Sequence, residues 1–255
     1  MNPQPDKETL AAQARLEKRR KEVRVTTGAA KETASPAGLL AEQILIDARP
    51  LFPEDAEARR KEKDSEVALA RIERVSVLFA RSRVPERHKT RASTRSGRFE
   101  KWAVKESDLR MAILQPRGST NMLIGLRGNG KTQMAVEAVR FASGRLKSSL
   151  FVTAEHFFVD LKASYKHAIK TERDVIDDYR KPRLLVLDEM DGTKWDDWEN
   201  QKFVELMNCR YGDMTDTILI ANWTLAEFEK VVSAKVRSRI KETGRIVNCD
   251  WPSFR

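Results

Sequence analysis

The run Asn121–Ala135, NMLIGLRGNGKTQMA, constrains the fold of this chain more than any other stretch. A short apolar segment, Met122-Leu123-Ile124, leads into a glycine-rich turn, and Met134, Ala135, Ala138 and Val139 then recur at helical spacing. The order is strand, turn, helix. Gly125, Gly130, Lys131 and Thr132 fill the fixed positions of G-x-x-x-x-G-K-[ST], the phosphate-binding loop pattern. Gly125, Gly128 and Gly130 let successive N–H groups turn toward phosphate oxygens, and the helix beginning near Lys131 adds the positive end of its dipole. Lys131 supplies a cation for the β- and γ-phosphates. Thr132 offers a hydroxyl to Mg²⁺, an ion that prefers oxygen ligands. Asn129 and Gln133, interleaved with these, complete the nucleotide-contacting set. ATP and Mg²⁺ are the implied cofactors.

A second element follows downstream. In Leu184–Met190, LLVLDEM, four apolar residues place Asp188 and Glu189 at the tip of a strand, where acids are costly unless a cation meets them. Asp188 is expected to hold Mg²⁺ and Glu189 to polarise the water that attacks the γ-phosphate. Asn222 ends the strand-like run Thr217–Ala221; its amide could orient that water, or it could be a turn residue. Between these motifs, strand-like segments (149–153, 184–187, 217–221) alternate with helix-like ones (155–168, 198–211). That alternation predicts an α/β domain with a parallel sheet and helices on its faces, its ligands at the carboxyl ends of the strands.

Composition bounds the rest. A chain of 255 residues allows one medium domain with an appendage, and no apolar run approaches the roughly 20 residues of a membrane span. The first residues have no apolar core of a signal peptide, so a cytoplasmic location is expected and no membrane partner. Cys209 and Cys249 stand forty residues apart without a C-x-x-C companion and read as small buried hydrophobes. His88, His156 and His167 lack ligand spacing. A net charge of +10 suggests a polyanionic partner without naming it.

Residues 1–37 are polar and charged and read as a flexible arm. In residues 38–80, Leu39, Leu40, Ile44, Leu45 and Ile46 form one apolar helix face; Val67, Leu69, Ile72, Val75, Leu78 and Phe79 form another. The charged run Glu54–Asp64 is expected to separate them, and the second face is assigned to core packing. This small helical region is the candidate for partner binding. Residues 81–110 begin with seven basic residues against the single acid Glu86 and read as a basic linker, able to clamp phosphates or merely to be solvated. The ATPase domain is assigned to 111–255.

With GLRGNGKT, LLVLDEM, ILIANWT, VRSRI and a final DWPSFR in this order, the chain resembles the AAA+ ATPases of the helicase-loader group, the DnaC-type loaders, and the related IstB-type transposition helpers. The resemblance covers roughly residues 81–255. It implies an AAA+ P-loop NTPase fold with a central parallel sheet, preceded by the small helical region, and an ATPase that delivers a ring helicase of the DnaB type onto single-stranded DNA in replication. The alternative it implies is a helper of a transposase on duplex DNA. It maps an arginine finger, acting in trans between subunits and so requiring self-assembly, to Arg239, with Arg237 competing. A sensor arginine maps to Arg255. The family's DNA-lining helix maps to 155–168, where Lys162 and Tyr165 match DNA-contacting positions. They share one helical face, which suits a backbone-plus-stacking grip. Packing of Tyr165 beside Phe158 and Leu161 is the competing reading. Trp195 and Trp198 are assigned to packing alone.

Overall fold

Five short segments, the first four buried along most of their length, assemble the centre of the molecule: β1 (Thr120–Ile124), β2 (Ser149–Thr153), β3 (Leu184–Asp188), β4 (Asp216–Ile220) and β5 (Ile246–Asn248). All pair in parallel, in the order β2-β3-β4-β1-β5. Strands buried on both faces read as continuous apolar runs, and successive residues alternate between two cores. Met122, Ile124, Leu185, Leu187 and Leu219 face one core. Leu123, Leu184, Val186, Ile218 and Ile220 face the other. The computed structural model describes residues 53–89, 99–165, 170–192 and 195–254.

Helices cover both faces. On the first lie α4 (Ala154–Ser164), α5 (Glu172–Arg180), α6 (Asp197–Gly212), α7 (Leu225–Val231) and α8 (Ala234–Thr243). The second carries α2 (Glu100–Ala112) and α3 (Lys131–Gly144). Capping boxes start α5, α6 and α7, at Thr171/Asp174, Asp196/Glu199 and Thr224/Glu227, each closing two orphan backbone donors.

Two stretches differ from the sequence expectation. The charged run Glu54–Asp64 is itself helical and continuous with the second apolar face, within α1 (Pro53–Arg81). Proline suits a first helical position, and the residues after it are strong helix formers with no glycine or proline among them. The chain divides into two units at Glu66–Val67. In the first, Glu57 and residues 60–66 of α1 are exposed, with the i,i+4 pair Glu57–Lys61 at 2.8 Å. In the second, Phe79 packs on the core with the Arg140 guanidinium 4.5 Å above its ring. Val67, Leu69 and Ile72, assigned to core packing, are instead exposed. The stretch read as basic linker also takes on structure. Ser82 accepts a hydrogen bond from Phe151 N at 2.7 Å, and α2 buries Trp102 and Leu109. Residues 1–52, including the arm and the first apolar face, lie outside the described residues, as do 90–98, 166–169 with His167, and Arg255. Among the described helices none is long and apolar enough to cross a membrane.

Candidate nucleotide site

The site sits at the carboxyl ends of β1, β3 and β4, where a cavity of about 670 Å³ opens. β1 delivers the loop. Gly125, Gly128 and Gly130 have φ of 132°, 85° and 76°, a region that L side chains rarely enter. A Cβ on Gly125 would lie 2.5 Å from Cys249 O, so space as well as torsion demands glycine there. Lys131 is almost fully buried and donates through Nζ to the carbonyls of Gly125 and Leu126, both at 2.7 Å. Burial holds its pKa below the usual lysine value, against the opposing pull of Cys249, Asp191 and Asp188. Gln133 also lines the cavity, its amide 3.2 Å from Glu137 Oε1.

β3 delivers the acids. Thr132 Oγ1 donates to Asp188 Oδ2 at 2.9 Å, so the two oxygens nominated for Mg²⁺ are neighbours although 56 residues apart in sequence. A hydroxyl and a carboxylate side by side form an oxygen donor set that fits a hard divalent cation. Burial pushes the Asp188 carboxyl above its ordinary pKa; the Thr132 hydroxyl and the Glu189 N–H, 2.8 Å from Oδ1, act the other way. Glu189 is exposed on the cavity wall at φ 56°, left-handed for a residue with a Cβ. Its turn is fixed on both sides, by Met190 N to Ile220 O at 2.9 Å and Gly192 N to Glu189 O at 3.0 Å.

β4 lies between β3 and β1, which brings Asn222 beside the acids. Asp191, which sequence reasoning missed, grips it: Asn222 N donates to Asp191 Oδ1 at 2.9 Å and Nδ2 to Oδ2 at 3.0 Å. No local pattern marks Asp191, but its position three residues after the strand-end acid puts it in the same turn. Phe99, Trp102 and Phe254 line the cavity beyond the loop, with Phe99 and Phe254 stacked at 4.7 Å, and Arg87 and His88 beside them. Asn129 also lines the cavity, and its Nδ2 donates to Cys249 O at 2.7 Å and Trp251 O at 2.6 Å. Cys249 is buried, its thiol pushed up to about 12 by that burial, whereas Cys209 is only partly buried.

Arg239, Arg237, Lys162 and Tyr165 do not line this cavity. Arg239 sits on α8 with its guanidinium 4.8 Å from the Tyr211 ring and Nη1 buried without a hydrogen-bond partner among the described residues. Arg237 is turned back, donating to Glu229 O near the end of α7. Lys162 and Tyr165 lie at the end of α4, and Tyr165 is 59% exposed, so it is not packed in the core. Lys162 pairs with Glu199 at 2.7 Å, and the Tyr165 hydroxyl donates to Glu172. Trp198 joins them, 6.0 Å from Tyr165 and 5.7 Å from the lysine nitrogen, while Trp195 packs edge-on between Phe158 and Phe203.

A parallel sheet in this order, with a phosphate-binding loop after β1 and an acid pair at the tip of β3, defines an AAA+ P-loop NTPase. The chain belongs to the IstB-like ATP binding protein family, whose sequence profile matches residues 105–240, just over half its length. No curated protein sequence matches it. Among solved structures its fold is similar to the DnaC helicase loader, with a TM-score of 0.56 and 17% identity, covering 64% of this chain and 99% of that one. A putative primosome component from Streptococcus pyogenes serotype M3 is similar at TM-score 0.52 and 17% identity, covering 70% of this chain and 97% of that one. AMPPCP-bound DnaA from Aquifex aeolicus follows at 0.50 and 19%, covering 62% of this chain and 48% of that one.

Proposed function

We propose that this chain hydrolyses ATP and uses the cycle to deliver a ring helicase of the DnaB type onto single-stranded DNA. The observation that carries the ATPase reading is the contact between Thr132 and Asp188, with Glu189 next in the chain and Asn222 across the strand end. The glycine loop and Lys131 bind the triphosphate; Lys131 exchanges its two carbonyl partners for phosphate oxygens. Thr132 and Asp188 would hold Mg²⁺, which when bound neutralises phosphate charge. Glu189 accepts a proton from the attacking water. Asn222, its amide nitrogen taken by Asp191, presents its carbonyl oxygen as an acceptor, which suits a water O–H better than a phosphate oxygen.

Arg239 serves as the finger toward a neighbouring subunit's γ-phosphate, since it holds the Ser-Arg-apolar position of VRSRI and its guanidinium is permanently charged and forks onto phosphate oxygens. Arg237, bonded to Glu229 O, is the less available of the two. Self-assembly aligns the Lys162, Tyr165 and Trp198 surfaces along one strand of DNA, aromatics stacking on bases and the lysine exchanging Glu199 for phosphate. The protein is cytoplasmic, and residues 1–80 carry partner specificity.

The fold likeness to DnaC favours the loader; the family profile keeps a second reading, an ATPase helper of a transposase on duplex DNA. The test mixes the full chain with a ring helicase, ATP and circular single-stranded DNA. Co-elution with the helicase and ATP-dependent unwinding support loading, and Arg239→Ala should retain ATP affinity while losing both turnover and unwinding. Co-elution with a transposase instead, with no helicase bound, moves the assignment to the second reading.

A further inference from the structure

Three consecutive carbonyls of the phosphate-binding loop are each met by a donor from a distant part of the chain. Gly128 O accepts from Phe254 N at 3.0 Å. Asn129 O accepts from Trp251 Nε1 at 2.9 Å, and Gly130 O from Trp102 Nε1 at 3.1 Å. The donors come from α2 and from the segment that follows β5, so two separate parts of the chain hold the loop. Trp251 and Trp102 are nearly fully buried, and the Asn129 side chain fastens the same segment through Cys249 O and Trp251 O.

The consequence follows from peptide planarity. In a trans peptide the carbonyl of one residue and the N–H of the next point in opposite directions in one plane. Fixing the carbonyls of 128, 129 and 130 outward therefore fixes the N–H groups of Asn129, Gly130 and Lys131 inward, where a phosphate nest needs them. A glycine-rich loop without such anchors samples many orientations and loses that freedom on binding.

We propose that Trp251, Trp102 and the backbone N–H of Phe254 are positioning residues that hold the loop's amides in phosphate-binding orientation before nucleotide arrives. Trp251 isolates the effect. Unlike Trp102 and Phe254 it does not line the cavity, so it can influence a ligand only through the loop.

This inference rests on the nucleotide reading of the site. The experiment uses the full chain and measures ATP and pyrophosphate affinity by calorimetry, with the unfolding midpoint recorded separately. Trp251→Phe keeps an aromatic ring but removes the donor, and should weaken ATP and pyrophosphate by the same factor, about three- to tenfold, the worth of one hydrogen bond. The pair Phe254→Ala and Phe254→Pro provides the independent check, because both lose the ring and only proline loses the N–H. The proline variant should bind pyrophosphate more weakly than the alanine variant at an equal unfolding midpoint. A Trp251→Phe protein that is folded and binds both ligands within twofold of wild type overturns the proposal, as does equal binding by the two Phe254 variants. Should Trp251→Phe fail to fold, the Phe254 pair decides. Wild type that binds neither ATP nor pyrophosphate would overturn the nucleotide reading itself, an outcome distinct from wild-type binding that the variants share.

Discussion

The two ends of the sheet both bury charge and use it differently. At the amino end, Arg210 on α6 is fully buried and spends its guanidinium on Thr217 Oγ1 and the carbonyls of Tyr179, Arg180, Pro182 and Asp216. Asp216, equally enclosed, accepts from Ser119 Oγ at 2.7 Å and Leu114 N at 2.9 Å, with Arg183 at 3.2 Å. These partners are fixed parts of the chain, and they tie α2, α5, α6, β3 and β4 together. At the carboxyl end the charges of Lys131 and Asp188 have partners that a ligand can replace, a pair of loop carbonyls and one hydroxyl. Left-handed backbone occurs at both ends, at Glu189 and three loop glycines here and at Leu114, Gly118, Leu146 and Met214 in the turns that precede the strands, so it does not set the two apart. A buried charge stabilises where its hydrogen-bonding capacity is exhausted and is available for chemistry where it is not.

The sharpest way to break this contrast is to remove charge at each end and ask what is lost. Glu189→Gln should retain ATP binding and lower turnover by about 10²- to 10⁴-fold, because the proton acceptor goes while the loop and Asp188 remain. Lys131→Ala should lose ATP affinity as well. Neither should lower the unfolding midpoint appreciably; a large loss of stability in Glu189→Gln would erase the distinction. The converse substitution, Arg210→Met, keeps side-chain volume but leaves one hydroxyl and four carbonyls without their donor. It should cost roughly 3–5 kcal/mol in urea unfolding, with the ATP affinity of the folded fraction unchanged. A cost under about 1 kcal/mol would show that the amino end is not the anchor.

What was legible in the sequence was what is contiguous. The loop and the LLVLDEM strand carry their chemistry in adjacent residues, and strand–helix alternation led to the parallel sheet because doubly covered strands are apolar throughout. The three-residue β5 gave too short a run to recognise. What was not legible depends on the fold to bring it together. Trp102 and Trp251 reach the loop from 28 and 122 residues away. Asp191 finds Asn222 only because β3 and β4 are neighbours. The face carrying Lys162 and Tyr165 follows from their spacing, but its exposure depends on where Trp198 and Glu199 of α6 are placed.

Asp191 sharpens the comparison at intermediate size. Its carboxylate holds both the backbone and the amide of Asn222, so Asp191→Ala should free that amide to rotate. Turnover should fall about tenfold, a part of what a positioned catalytic group contributes, with a smaller change in ATP affinity. Equal losses in kcat and in nucleotide binding would instead point to the electrostatic contact of Asp191 with Lys131.

The smallest effect tests whether even the well-bonded end carries a residual cost. Burial raises the pKa of Asp216 above its ordinary 3.8, outweighing the Ser119 hydroxyl, Arg183 and the Leu114 N–H, which act downward. A carboxyl with a raised folded-state pKa binds its proton more tightly in the folded chain than in the unfolded one. Its contribution to stability is therefore present in full below the unfolded value and is lost as pH rises from about 3.8 through the raised folded value. Asp216→Asn removes that titration while keeping an oxygen for the Leu114 N–H, and Ser119 Oγ can accept from the new amide. Urea unfolding of wild type and variant across pH 3.5 to about 7 should give a stability difference that shifts in favour of the variant as pH rises. A difference that stays constant across the range would mean that the donors around Asp216 fully compensate its burial, and the amino end would then differ from the carboxyl end more completely than its charges indicate.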